Sequence, residues 1–136
     1  MANHNADPPA SIEIEQALLG AALIDPSVIP AIDGTVTPDD FYSERHGWIY
    51  AAMRDLAEEN SLDYVLLCNA LAARGQLQEV GGDSYLTDLI AGNPSIMAAP
   101  SYAQAIADLA VKRRLSLGAA QMTMVAHDPG QSAEDV

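Results

Sequence analysis

The sequence predicts an all-α fold, a compact head of about five helices followed by one long helix. Three observations lead there. Helix start and stop signals recur along the chain, apolar residues between them repeat at helical spacing, and β-branched or aromatic runs are few. Hydrophobic residues make up 49% of the 136 but aromatics only 5%, so the core is mostly Leu, Ile, Val, Met and Ala. A chain of this length buries a single core without staples.

Residues 1–10 read as a disordered arm rich in Asn, Asp and Pro. Ser11 then caps the first helix, with Glu13 and Glu15 in the first turn where the helix dipole favours negative charge. Ile14, Leu18 and Ala22 form one apolar row, with Leu19 and Leu23 beside it. Gly20 inside this helix costs about 1 kcal/mol against Ala, which predicts a second helix crossing close by. Asp25-Pro26 starts a second helix, and Pro30 makes it short or distorted.

Thr37-Pro38-Asp39-Asp40 is another start signal, after which Phe41 and Tyr42 are expected to pack into the head. A helix re-enters near Ser43, with Ile49, Ala52, Met53 and Leu56 as its core-facing stripe and Asn60 as its end. Asp63 caps the next helix, which carries Val65, Leu66, Leu67 and Leu71 and stops at Gly75, suited to a left-handed C-terminal position. Leu77 and Val80 then plug the core from a turn. Gly81-Gly82 forms a tight joint, and Asp83 or Ser84 caps the following helix of Leu86, Leu89 and Ile90, which Gly92 and Pro94 stop.

Asn93 to Ala99 reads as a loop with Ile96 and Met97 exposed, so the head spans residues 11–99. Residues 100–136 hold the long helix, opened by Pro100 and reaching about His127 before Asp128-Pro129-Gly130 breaks it. Such a helix spans on the order of 40 Å, more than a small head covers. Ile106, Ala110, Leu117 and Met124 form an apolar row along it, flanked by Leu109 and Leu115. A row that outruns its own domain needs a partner helix. Gly118 marks either a close helix approach or local flexibility.

The net charge is −13, from 19 acidic and 6 basic residues. Phosphate binding needs Lys and Arg to displace counterions, so this surface excludes direct nucleic-acid binding and an anionic membrane surface. Cys68, the single cysteine, reads as a small buried thiol that can form no internal disulfide. The polar start resembles no signal peptide and no apolar run approaches about 18 residues, so the cytoplasm is the expected compartment.

The chain resembles the N-terminal domain of the DnaB family of replicative DNA helicases. The residues carrying the resemblance run in order: Ser11 to Gly20, Asp25-Pro26, Asp40-Phe41-Tyr42 with His46 and Ile49, Asp63 with Val65, the joint from Gly75 to Leu86, Tyr102-Ala103, and Arg113-Arg114-Leu115. Pro30, the loop from Asn93 to Pro100 and the strongly acidic surface depart from the family pattern. The resemblance implies that the long helix begins an antiparallel helical hairpin, whose second helix starts near Ser132 and is cut off at Val136. It implies a non-catalytic head that forms dimers and a collar (a hexamer in full-length members) and docks the primase in DNA replication. ATP and Mg would belong to a motor domain missing here, so this chain is expected to be no enzyme and to hold no cofactor. The expected interface residues are Tyr102, Ile106, Leu109, Ala110, Lys112, Arg113, Leu117 and Met124.

The residues also permit other readings. One is a stand-alone helical adaptor or inhibitor that binds a helicase or primase; a downstream motor domain in the reading frame separates it from the first. Another is a small acidic enzyme using His46 with Asp40, Tyr42 and Glu44. A structural hydrogen bond from His46 is the better account, because no Glu-x-x-His or His-x-x-x-His pair supports a metal. No Gly-x-x-x-x-Gly-Lys-Ser/Thr loop offers a phosphate cradle. Lys112-Arg113-Arg114 either meets an acidic partner or a neighbouring copy's carboxylates, or forms a solvated face paired with residues such as Asp108. Met97, Met122 and Met124 read as core or hairpin filling rather than an adaptable binding surface.

Overall fold

The computed structural model describes residues 9–126, with side chains through residue 118. The arm before Pro9, His4, His127, the break at Asp128-Pro129-Gly130 and the start of a hairpin return lie outside the described residues, as do the side chains of Met122 and Met124. Six α-helices follow in order: α1 (Ile12–Ile24), α2 (Val28–Ile32), α3 (Glu44–Glu58), α4 (Tyr64–Ala73), α5 (Gly82–Ala91) and α6 (Ala99–Ala126). A single 3-10 turn, Pro38–Asp40, lies between α2 and α3, and no strand occurs among the described residues.

α1 is the central rod, packed against α6, α5, α3 and α2. Its start is fixed by Ser11, whose hydroxyl accepts from the Ile14 amide at 3.3 Å. Its middle allows close approach because residue 20 is glycine. A Cβ there would lie 2.3 Å from the Leu89 carbonyl oxygen of α5. The helix crossing expected from Gly20 is therefore the α1–α5 crossing.

α2 is as short as Pro30 requires, but it begins later than expected. The Asp25 carboxylate accepts from the amide and hydroxyl of Ser27, at 3.1 and 2.7 Å. That local turn occupies the residue that would otherwise cap, and the helix starts at Val28. The same bonds, the hydroxyl's first, hold the Asp25 carboxyl below its usual range. Val28, Ile29 and Ile32 are buried as expected.

α3 and α4 both end as their sequences indicate. Asn60 takes a left-handed φ of 54°, and the Ser61 amide reaches back to the Leu56 carbonyl at 2.8 Å. Gly75 takes φ 70°, with the Gln76 amide on the Leu71 carbonyl at 2.8 Å. The Asp63 carboxylate caps α4 by accepting from the Leu66 amide at 2.7 Å. Leu67 and Leu71 fill the core, whereas Val65 and Leu66 face solvent. Cys68 is half-buried rather than buried, and desolvation pushes its thiol up.

The joint after Gly75 works through Leu77 and Val80 as expected, with Val80 fully enclosed. Its helix start differs from expectation. Neither Asp83 nor Ser84 is the cap; Gly81, at φ 112°, is, and α5 begins at Gly82. Only glycine adopts that conformation at no steric cost. In the following loop Met97 is exposed as expected, but Ile96 packs against the core.

Candidate interaction surface

α6 has two regimes. Its first half belongs to the head: Ala99, Ala103, Ile106 and Ala110 are buried against the core, and Tyr102 packs beside them. Beyond residue 110 the apolar side chains emerge, with Val111 51%, Leu115 68% and Leu117 63% exposed. Of the expected interface residues, Ile106 and Ala110 thus present no free surface. Their burial stabilises the chain's own head. Leu109 is half-buried, while Lys112 and Leu117 lie open.

The basic triplet divides differently from either sequence reading. Arg113 donates to the Asp40 carbonyl at 2.6 Å and to the Pro9 carbonyl at 2.8 Å. Arg114 donates to the Asp40 carboxylate at 2.7 Å. The internal partners are therefore the 3-10 turn and the entry to α1, not Asp108, which accepts from Gln104 at 2.9 Å. Asp40 is available there because its other carboxylate oxygen accepts from the Thr37 amide at 2.9 Å, which fixes the turn. Tyr42 does not pack into the head as expected. It is half exposed, with the Arg113 guanidinium over its ring at 5.5 Å. Just where α6 leaves the head, its direction is held by two guanidinium groups.

A second construction locks the head from within. His46 is completely buried, with Nδ1 2.8 Å from Glu15 Oε1 and Nε2 2.6 Å from the Tyr85 hydroxyl. Glu15 also accepts from the amides of Tyr42 and Ser43, at 2.6 and 3.2 Å, capping α3 from another helix. The Tyr85 hydroxyl accepts from Gln16 Nε2 at 3.2 Å. The hydroxyl's single proton can then point to His46 Nε2 while Nδ1–H donates to Glu15, an arrangement that gives every member a partner. Tyr85 reaches this place because residue 81 has no side chain, since a Cβ there would lie 2.7 Å from Tyr85 Cβ. Arg45 closes the outer side, 3.7 Å over the Tyr85 ring, and donates to the Val80 carbonyl at 3.3 Å.

Both ring nitrogens of His46 are occupied and the ring meets no solvent. The structural hydrogen bond is the right account of it, and the hydrolase reading loses its accessible base. Sequence reasoning missed Glu15 and Tyr85 as its partners. For Glu15 a signal was there. Glu15, Leu18, Leu19 and Ala22 share one helical stripe, and an acid on a buried stripe needs partners. Among the described residues no group of three or more His, Cys, Asp or Glu is placed to hold a metal ion, and no helix is long and apolar enough to cross a membrane.

These features define a wholly helical head domain, cross-braced by a buried Glu–His–Tyr network, with a helix that runs out beyond it. The chain matches the DnaB-like helicase N terminal domain over residues 7–108, and it belongs to that family. It is 39% identical over 129 residues to the replicative DNA helicase DnaB of Geobacillus stearothermophilus, covering 94% of this chain and 28% of that protein. The replicative DNA helicase DnaC of Bacillus subtilis is matched at the same identity and coverage. The crystal structure of the N-terminal domain of DnaB helicase from Mycobacterium tuberculosis superposes with a TM-score of 0.88 at 30% identity, covering 95% of this chain and 92% of that one. The chain thus carries the N-terminal domain of a replicative helicase family and spans 28% of the length of these two full-length relatives.

Proposed function

We propose that this domain is the non-catalytic assembly module of a DnaB-like replicative helicase, that it drives head dimerisation and collar formation, and that it docks a primase. The observation that carries the reading is the emergence of α6. Val111, Leu115 and Leu117 stand on the part of the helix that the head no longer covers. Exposed apolar surface of this kind is stabilised by a second helix laid against it. Leu109, Lys112 and Leu117 belong to that contact, while Ile106, Ala110 and Tyr102 back it from inside the head and Arg113 aims it.

The charge supports the same division of labour. At −13 the domain repels nucleic-acid phosphates, so direct DNA contact is no part of its proposed role; ATP and Mg would belong to the motor domain that the family likeness implies. A cytoplasmic replication assembly is the setting this fits.

Light scattering of the chain across a concentration series, alone and with the cognate primase, tests both roles. A mass rising to that of a dimer, lowered again by Leu117→Asp, and co-elution with primase are the expected results. A monomer at every concentration sinks the assembly role, and separate elution of the primase sinks the docking role.

A further inference from the structure

A cleft of about 450 Å³ lies where the C-terminal end of α5 meets α1 and the first turns of α6. Its apolar lining is Ala17 and buried Leu89, its aromatic lining Tyr85 and Tyr102, and exposed Glu13 and Asp88 bring two carboxylates to it. Tyr85 is already fixed by His46 and Gln16, so one wall is rigid before anything binds.

Three sources of negative potential converge on this cleft. Two are Glu13 and Asp88, neither of which has an ion-pair partner among the described residues. The third is the end of α5 at Gly92, the negative end of the helix dipole, with no basic residue in its last turn. Among the described residues no lysine or arginine meets Glu13 or Asp88. Arg45 sits on Tyr85 and the Val80 carbonyl, Arg54 pairs with Asp33, Arg74 with Asp55, and Arg113 and Arg114 hold the 3-10 turn. Lys112, the remaining one, stands about 15 Å along α6 from Tyr102.

We propose that this cleft receives a lysine or arginine side chain from a basic segment of a protein partner. The aliphatic stem lies along Leu89 and Ala17, the tyrosine rings flank it, and the cationic head meets Glu13, Asp88 and the carbonyl end of α5. The volume suits one or two side chains, and its charge rejects a phosphate-bearing ligand. This deepens the docking reading above and rests on it.

The test follows amide shifts of the whole chain by NMR, with Nα-acetyl-arginine amide as probe and its neutral isostere, Nα-acetyl-citrulline amide, as control. Arginine amide is expected to shift the amides of Glu13, Asp88 and Gly92, with citrulline amide binding more weakly. Glu13→Gln combined with Asp88→Asn is expected to weaken the arginine probe about fivefold, the combined effect of two exposed charge pairs. Shifts scattered over the acidic surface, equal binding of citrulline, the same shifts with magnesium chloride, or an unaffected double variant would each overturn the assignment. Primase co-elution with the double variant separates the two readings. Binding equal to the wild-type chain leaves docking intact and removes the cleft. No primase binding to either form, with the arginine shifts intact, removes primase docking and keeps the cleft's preference for a cationic side chain.

Discussion

His46 Nδ1 lies 2.8 Å from Glu15 Oε1, and the two residues stand 31 positions apart on different helices. The contact joins the first turn of α1 to the first turn of α3. Glu15 gathers three donors at once: His46 and the amides of Tyr42 and Ser43. Replacing it by alanine leaves three donors without their acceptor, the buried His46 and two part-buried amides, each costing about 1–3 kcal/mol. Glu15→Ala is therefore expected to lose about 3 kcal/mol or more, read as a lower midpoint in urea unfolding. Tyr85→Phe, which removes one end of the chain of bonds, is expected to lose about 1–2 kcal/mol.

Tyr50 poses the opposite case. Its ring is fully buried beside Phe41, and its hydroxyl has no hydrogen-bond partner among the described residues. Tyr50→Phe removes an unsatisfied polar atom and keeps the ring, so it is expected to be neutral or stabilising by about 1 kcal/mol at neutral pH. Burial pushes the phenol up from 10.0 to about 12. The core accepts the neutral form, so this contribution to stability is whole below pH 10 and is lost as pH rises through about 12. Urea midpoints of both proteins across about pH 8 to 11 check it. The wild-type chain is expected to fall more steeply at the alkaline end than Tyr50→Phe, and parallel curves would sink the account.

Much of this head was readable because its helix ends are local chemistry. Ser11, Asp63, Asn60 and Gly75 each act within a few residues of themselves, and each does what its type suggests. Gly20 was readable for a different reason, since glycine inside a helix has few uses besides close approach. The site was less legible because its partners are distant or generic. Nothing in the sequence brings Tyr85 to the far side of the ring that Glu15 holds, His46. The targets of Arg113 are main-chain carbonyls at Pro9 and Asp40, which any residue would supply. The apolar row on α6 was visible, but where the head stops covering it was not. That boundary depends on how α1 and the 3-10 turn pack.

Gly20 gives a sharp stability test. A methyl group there meets the Leu89 carbonyl oxygen, a backbone atom that cannot move aside without shifting α5. Gly20→Ala is expected to destabilise by about 1–3 kcal/mol despite alanine's better helix propensity. Gly118→Ala meets nothing within 4 Å. It is expected to stabilise the exposed part of α6 by about 0.5–1 kcal/mol. Thermal unfolding followed by circular dichroism distinguishes the two signs.

The division of α6 yields the last prediction, and it separates folding from assembly. Ile106 is 2% exposed, so aspartate there buries an unpaired charge, a change expected to unfold the head. Leu115 and Leu117 face solvent in the single chain, so Leu115→Asp or Leu117→Asp costs the fold little. If a second copy covers that stripe, either exposed substitution is expected to lower the mass measured by light scattering while helical content stays unchanged. Arg113 provides the intermediate case. Its two charge-assisted bonds hold the 3-10 turn and the entry to α1, so Arg113→Ala is expected to cost about 1–3 kcal/mol of head stability. A free interface arginine would show no such cost. Full helicity in Ile106→Asp, or no loss of stability in Arg113→Ala, would mean that α6 leaves the head earlier than Ala110.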